Sequence, residues 1–177
     1  MGSDLRGLAI VIMGVSGSGK STIGGLLARN VCCDFLDADD FHSVENKEKM
    51  RNGVPLTDED RFPWLETISN ALTEKISGGK TVVLCCSALQ FRYREILRKA
   101  DPNNGSDCVK FFCLMAPIEV IEGRMKQRES DGNHFMPAAL LQSQVDLLEI
   151  HEDEGIHVLD ATLSPDAIVA RIQASLS

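Results

Sequence analysis

A single lysine follows a glycine-rich loop in the stretch GVSGSGKST, which covers residues 14–22 and comes directly after the apolar run LAIVIM. The stretch fits the pattern G-x-x-x-x-G-K-[ST], whose backbone amides and lysine cradle the phosphates of a nucleotide. Glycines allow the amides to turn inward because they carry no Cβ. We therefore predict a phosphate-binding loop, and the residues predicted to contact ATP are Gly14, Ser16, Gly17, Ser18, Gly19, Lys20, Ser21 and Thr22.

Three residues of this loop have individual roles in that prediction. Lys20 would reach the β- and γ-phosphates, and the N-terminus of the following helix would add positive potential at the same place. The Ser21 hydroxyl would bind Mg²⁺, and Thr22 would support the α-phosphate. The sequence thus predicts ATP and Mg²⁺ as ligands of this loop.

Acidic residues follow the next apolar run, where Asp37, Asp39 and Asp40 form most of the stretch DADD. We expect this run to be a strand beside the first one, so that its carboxyl end lies across from the phosphate loop. Asp37 would order the water shell of Mg²⁺. In an extended chain Asp39 points the same way, and it would accept a proton from an attacking hydroxyl. A solvated turn with a helix cap is the alternative.

Five short apolar runs are predicted to be strands, and apolar residues at helical spacing lie between them. The runs are LAIVIM, CCDFLDAD, KTVVLCCSAL, CVKFFCLMA and GIHVLDA. Pro117 and Pro165 each suit the first turn of a helix, and Ser164 can cap the second of these helices. Alternating strands and helices predict an α/β fold with a mainly parallel sheet.

The length of 177 residues favours one domain, but two segments depart from the strand–helix alternation. Residues 40–77 lack a strand pattern and are predicted to be a helical, substrate-binding insertion. Residues 128–137 are polar and contain a glycine, and they are predicted to be a lid. Additions at the rim of an α/β sheet commonly build binding sites. The predicted core comprises residues 5–38, 78–127 and 138–177.

Composition argues against several functions. The net charge of −8 disfavours a nucleic-acid partner, which would require a basic face. No apolar run is long enough to span a membrane, and the start carries no secretory signal pattern, so we expect a cytoplasmic protein. The six cysteines match neither a zinc site nor a C-x-x-C redox site, and they are expected to be buried, reduced thiols.

Two classes of nucleotide-binding protein lack their usual signals here. A regulatory GTPase would carry Asn-Lys-x-Asp to read guanine, and the sequence has no such stretch. A motor-type ATPase would place an acid at the end of a later strand, whereas the third predicted strand ends in CCSAL. The acids after the second strand favour a small-molecule kinase.

Five stretches together resemble the gluconokinase family of P-loop kinases, which is related to shikimate kinase and adenylate kinase. They are MGVSGSGKST, LDADDFH, NKEKMRNGVPLTDEDRFPWL, CSALQFRYREILR and GNHFMPAALLQSQVDLLE. The resemblance runs over residues 8–176, and GVPLTDEDRFPWL and the pair CSAL and HFMP are more specific than the loop. It departs from the family at Gln90, where a lysine is usual. Either Gln90 keeps a hydrogen bond there, or Arg92 and Arg94 carry the charge.

The resemblance implies a nucleoside-kinase-like, three-layer sandwich around five parallel strands, and ATP-dependent phosphorylation of D-gluconate at its 6-hydroxyl. An arginine fork suits the carboxylate of such a sugar acid. Arg61 is the main candidate, with a surface salt bridge within DEDR as the alternative. His42 and Lys49 would bind hydroxyls or charge, although His42 also suits a helix cap. Arg94 would contact the substrate or the transferred phosphate, unless it lies on a solvated helix face.

Basic residues near the predicted lid complete the expected site. Arg124 and Arg128 lie four apart and share a helix face. The resemblance places Arg124 against adenine and Arg128 on the transferring phosphate, with Lys126 as a spare cation. His134 would lie at the closing edge and bind substrate, and a basic solvated surface is the alternative for the group. The predicted catalytic residues are therefore Lys20, Asp39 and Arg128.

Three other functions stay open at this point. A kinase for another acid such as shikimate would usually carry a glycine triplet where CSAL stands. A nucleoside monophosphate kinase would need a base-reading pocket within residues 40–77. A non-catalytic nucleotide-binding module would not need the acids and arginines. Relatives of this shape imply a homodimer, although no seam of exposed apolar residues demands one.

Overall fold

A computed structural model describes residues 7–102, 108–130 and 138–176. Its sheet consists of the strands β1 (Ala9–Met13), β2 (Asp34–Asp37), β3 (Val82–Cys85), β4 (Val109–Met115) and β5 (His157–Asp160). All of them run parallel, in the order β2–β3–β1–β4–β5. Each predicted strand is confirmed, and the fold class is α/β as expected.

Helices connect these strands. They are α1 (Lys20–Val31), α2 (Val44–Arg51), α3 (Asp58–Ser77), α4 (Phe91–Arg98), α5 (Ile118–Ser130), α6 (Ala138–Leu147) and α7 (Pro165–Leu176), with short 3₁₀ helices at Ala38–Phe41 and Glu152–Glu154. Ser164 caps α7 as predicted, since its Oγ accepts a hydrogen bond from the Ala167 amide at 3.2 Å. Within the described ranges, no helix combines the length and the apolarity needed to cross a bilayer.

The central strand β1 builds two cores because its successive side chains point to opposite faces of the sheet. Val11 and Met13 pack in a cluster with α3 and α4. Ile10 and Ile12 pack in a second cluster with α1 and α7. All four side chains are fully buried. Helices therefore cover both faces of a parallel sheet, in the three layers that were expected.

Residues 40–77 are helical as predicted, but a large part of them belongs to the core. In α3, Leu65, Ile68 and Leu72 are fully buried in the cluster that contains Leu84 of β3. The parallel neighbours β2 and β3 need a crossover connection, which is usually a helix. Because α3 supplies that connection, the predicted insertion at residues 40–77 shares this helix with the core.

The order of the strands corrects the expected position of the acids. β3 lies between β1 and β2, so β2 is not the immediate neighbour of the strand that leads into the glycine loop. Ile12 of β1 and Asp37 of β2 both align with Cys85 of β3. The carboxyl ends of β1 and β2 are thus level with each other. Because β3 lies between them, they are separated by two strand spacings, about 10 Å.

All six cysteines are free thiols. Cys85 and Cys86 are buried as predicted, and burial raises the pKa of each thiol to about 12. Both stay protonated at neutral pH, although they lie near Lys20. Cys32 contradicts the prediction because it is exposed. It forms the C-cap of α1 in a left-handed conformation (φ 56°), so its side chain lies at a surface turn.

Candidate active site

The glycine loop between β1 and α1 has a shape that requires glycine. Gly14, Gly17 and Gly19 have φ angles of 144°, 82° and 103°, which side-chain-bearing residues rarely adopt. A Cβ on Gly14 would lie 2.8 Å from the Leu114 carbonyl oxygen of β4. The loop is therefore drawn tightly against the sheet before α1 begins at Lys20.

The Lys20 side chain folds back over this loop. Its Nζ donates hydrogen bonds to the carbonyl oxygens of Gly14 and Val15, both at 3.0 Å. Burial lowers the pKa of Lys20, while the negative charges of Asp39 and Asp37 oppose that fall. The ammonium group is thus held at the loop and within electrostatic reach of both acids.

The hydroxyl residues of the loop divide into two groups. Ser18 is buried, and both its amide and its Oγ donate to the Val15 carbonyl, at 3.2 and 2.7 Å. Ser18 therefore shapes the loop from inside. Ser21 and Thr22 are exposed in the first turn of α1, where the helix N-terminus favours anions. Their positions suit the predicted contacts with a metal ion and a phosphate.

The acids after β2 are arranged differently from the extended chain that we expected. Asp37 caps the 3₁₀ helix Ala38–Phe41, and its Oδ1 accepts a hydrogen bond from the Asp39 amide at 3.0 Å. Aspartate side chains often form such local hydrogen bonds in place of extended backbone. The expectation of an extended chain, in which Asp39 would point the same way as Asp37, was therefore wrong. Burial raises the pKa of Asp37, and the charge of Lys20 counteracts part of the rise. Both carboxylates still lie near the ammonium group.

His42 is buried rather than turned toward solvent. Its ring stacks on Trp64 with centroids 4.0 Å apart, and its Nδ1 lies 3.3 Å from the Asn46 side-chain nitrogen. Burial lowers the pKa of His42 to about 4, so the imidazole is neutral at pH 7. These contacts make His42 a support between α2 and α3, and they argue against the predicted contact with substrate.

Lys49 is already paired within the same segment. Its Nζ donates to both carboxylate oxygens of Asp60 at 2.9 Å. Asp60 also accepts the Thr57 amide, in a capping box that begins α3. Hydrogen bonds from Lys49 and from the Thr57 backbone lower the pKa of Asp60 to about 2. Lys49 thus holds the start of α3, which was not foreseen.

Arg61 keeps most of its hydrogen-bonding capacity. Its Nη1 donates to the Tyr93 hydroxyl at 2.9 Å, and its guanidinium carbon lies 5.4 Å from the centroid of that ring. The alternative salt bridge within DEDR does not form, because Asp58 pairs with Arg92 and Tyr93 instead. No second acceptor for Arg61 is found in the described part of the chain, so its other N–H groups can meet a carboxylate.

Arg94 requires a correction, since the structure buries it completely. Nε and Nη2 donate to the two carboxylate oxygens of Glu154 at 2.8 and 2.7 Å. Nη1 and Nη2 also donate to the carbonyl oxygens of Ala88 and Glu149, at 2.7 and 2.8 Å. Burial tends to raise the pKa of Glu154, but hydrogen bonds from the arginines lower it to about 2. Arg94 therefore fixes the loop after β3 and does not face a substrate.

Replacing Arg94 by methionine should lower the free energy of unfolding by about 3–5 kcal/mol, because Glu154 would lose its main partner inside the protein. The exposed pair of Arg92 and Asp58 provides the matched control, and Arg92→Met should change stability by about 0–1 kcal/mol. Urea unfolding followed by circular dichroism measures both. A small loss for Arg94→Met, together with a specific loss of sugar-acid binding, would restore the original assignment.

Arg124 joins two parts of the carboxyl edge of the sheet. Its Nη2 donates to the Ala161 carbonyl after β5 at 2.6 Å, and its Nη1 approaches the Ser18 carbonyl of the glycine loop at 3.3 Å. Its helix packs closely, since a Cβ on Gly17 would lie 3.0 Å from Ile121 of α5. Arg124 is therefore beside the loop, where a bound nucleotide would lie.

The other basic residues near the predicted lid lie further along α5 or beyond it. Arg128 is half-buried one turn after Arg124 on α5, and Lys126 is exposed. His134 and the segment 131–137 lie outside the described residues, so their predicted roles stay predictions.

Comparison with known proteins decides the family. A family model described as shikimate kinase matches residues 16–176. A gluconokinase from Arabidopsis thaliana is 51% identical, over 96% of this chain and 93% of that protein. This chain belongs to the gluconokinase family. The resemblance drawn from its motifs is confirmed.

Two solved structures have the same fold. A gluconokinase from Sinorhizobium meliloti is 38% identical with a TM-score of 0.83, and the match covers 96% of this chain and 91% of that one. A sugar kinase from a Janibacter species is 43% identical with a TM-score of 0.86, and the match covers 94% of this chain and 92% of that one.

Gln90 is the position at which the motif resemblance predicted a departure from the family. It is the N-cap residue of α4, but its side chain makes no capping bond, and its buried Oε1 has no hydrogen-bond partner among the described residues. Arg92 and Arg94 are committed to Asp58 and Glu154. Both arginines therefore already have carboxylate partners.

The site suits a metal ion that is held largely by phosphate. In the described ranges, no group of three or more His, Cys, Asp or Glu side chains could hold a metal. Mg²⁺ in kinases commonly uses few protein ligands together with phosphate oxygens and water. Ser21 at the start of α1 and Asp37 at the end of β2 fit that manner of binding.

Sequence reasoning missed two residues that contact the site. Tyr93 supports Arg61 through its hydroxyl, and Gln144 of α6 accepts a hydrogen bond from the Ser16 amide at 2.6 Å. The sequence places Tyr93 in the first turn of a predicted helix, but nothing in it indicates a contact with Arg61. Gln144 lies in a stretch typical of gluconokinases, but no spacing rule connects it with a loop 128 residues earlier.

Proposed function

We propose that this gluconokinase-family chain transfers the γ-phosphoryl group of ATP to the 6-hydroxyl of D-gluconate, giving 6-phospho-D-gluconate and ADP. One observation carries the proposal most directly. Lys20 is folded over a glycine loop and is electrostatically coupled to Asp39 at the same edge of the sheet. A phosphate and an acceptor hydroxyl can meet at that edge.

The proposed mechanism is direct in-line transfer. Loop amides and Lys20 bind the phosphates, and Asp39 orients the 6-hydroxyl and takes its proton. Lys20 and Arg128 stabilise the charge of the moving phosphoryl group. Arg124 contacts the adenine ring of ATP. Ser21 and Asp37 would hold Mg²⁺, which would supply positive charge to offset that of the phosphates.

The substrate side of the proposal depends on Arg61. Its free N–H groups would form a fork to the carboxylate of gluconate, and Tyr93 would hold its orientation. Residues 40–77 would form the substrate-binding insertion, with Arg61 near the start of α3. Residues 128–137 would act as a lid that excludes water, a competing acceptor.

The cysteines bear on the cellular compartment of the enzyme. Six free thiols support a reducing compartment such as the cytoplasm. We further propose one domain and a homodimer, with a small-molecule substrate and no nucleic-acid or membrane partner.

An acceptor panel tests the function. ADP release should be fast with gluconate and near the no-acceptor background with mononucleotides, because Arg61 and Asp39 select a carboxylate and a distant hydroxyl. Shikimate should react slowly because its ring holds the hydroxyls close to the carboxylate, and other sugar acids in the panel measure the breadth of acceptor choice. Phosphorus NMR of the product should show a phosphomonoester on carbon 6. Preference for shikimate would favour the function named by the family model. Preference for a mononucleotide would identify a nucleoside monophosphate kinase, and no turnover with any acceptor would favour a binding module.

A further inference from the structure

Helix α6 reaches the phosphate loop through one side chain. Gln144 Oε1 accepts a hydrogen bond from the Ser16 amide at 2.6 Å, a short distance for an N–H···O bond. Ser16 is the third residue of the glycine loop, and its single amide N–H is directed at Gln144, so the phosphates are left to the amides that follow it in the loop. Gln144 therefore contacts the predicted phosphate-binding loop directly.

Helix α6 is held in place by contacts before and after Gln144. One turn earlier on α6, Leu141 is buried in a cluster with Val15 of the glycine loop and Leu89. Just beyond α6, the Glu149 amide donates to the Leu89 carbonyl at 2.9 Å, and Glu149 Oε1 accepts from the Phe91 amide at 2.9 Å. Gln144 is thus presented by a helix that is anchored between the phosphate loop and the start of α4.

We propose that Gln144 is a positioning residue for ATP, whose side-chain carbonyl fixes the Val15–Ser16 peptide so that the amides that follow it in the loop face the phosphates. A loop that is already ordered loses less conformational freedom when a ligand binds, so affinity rises without a new contact to the ligand. The proposal rests on the proposed function for the identity of the nucleotide. It does not depend on which acid is phosphorylated.

Three variants separate this role from a general effect on stability. Gln144→Met keeps the length and bulk of the side chain but removes the acceptor. Gln144→Glu keeps an acceptor and adds a negative charge beside the triphosphate. Gln142→Met is the matched control, since Gln142 is exposed on the same helix and hydrogen-bonds Asp146 at 2.9 Å.

Titration calorimetry with ADP and with a non-hydrolysable ATP analogue gives the dissociation constants. Gln144→Met should weaken both about 5- to 10-fold, the size expected for one lost hydrogen bond, while KM for gluconate and the thermal midpoint stay near wild type. Gln144→Glu should weaken binding more strongly at low salt, and the excess should shrink as KCl is added. Gln142→Met should bind as wild type.

Two results would overturn the proposal. One is nucleotide affinity for Gln144→Met within twofold of wild type. The other is a joint fall of nucleotide affinity, gluconate affinity and thermal midpoint, which identifies a merely structural residue. Since calorimetry needs no acceptor, weakened ADP binding in Gln144→Met would support this role even if gluconate proved not to be the substrate.

Discussion

Lys20→Ala is expected to lower kcat/KM by about 1,000-fold or more while the protein stays folded. The variant removes the fixed cation that would stabilise charge on the β- and γ-phosphates in the transition state. It also removes two hydrogen bonds to loop carbonyls. Their loss is partly offset because a partly desolvated charge disappears as well. We expect the free energy of unfolding to change by less than about 2 kcal/mol.

ADP release in the presence of gluconate measures this effect, and differential scanning fluorimetry without nucleotide checks the fold. Lys80→Ala serves as the control, because Lys80 is exposed just before β3, at the opposite edge of the sheet. Wild-type turnover by Lys20→Ala would show that the glycine loop is not the phosphate site. An unfolded variant would instead point to a mainly structural lysine.

Local patterns predicted the fold well because they act over short distances. The apolar run of β1 alternates between two cores, and the positive φ angles of Gly14, Gly17 and Gly19 are needed wherever this loop occurs. The order of the strands was harder to predict. Nothing within the second apolar run indicates that β3 lies between it and β1, since that choice is made by packing across the whole sheet.

Several side chains of the predicted site have partners that the sequence did not indicate. Arg94, Lys49 and His42 were assigned to substrate because a sugar acid offers charge and hydroxyls to such side chains. The structure commits them to Glu154, Asp60 and Trp64, respectively. Sequence shows a side chain's chemistry, whereas its partner depends on elements that meet only in the folded chain. Arg61 differs because Tyr93 orients it without consuming its charge.

Asp39→Asn should lower kcat about 100- to 10,000-fold and leave nucleotide affinity within a few fold of wild type. Asparagine keeps the size of the side chain but cannot take the proton of the 6-hydroxyl. The local backbone should persist, because the bond that starts the 3₁₀ helix runs from the amide of residue 39 to Asp37. Single-turnover measurements of gluconate phosphorylation, with ADP binding measured in parallel, separate catalysis from binding.

Two neighbouring aspartates make this prediction specific. Asp40→Asn changes the adjacent, exposed acid of the same 3₁₀ helix, and it should retain activity. Asp37→Asn preserves the cap, because asparagine and aspartate cap helices about equally well. It should raise the Mg²⁺ concentration needed for half-maximal rate without abolishing turnover. If Asp39→Asn kept wild-type kcat and Asp37→Asn lost it, the proton acceptor would be Asp37, whose pKa is raised by partial burial.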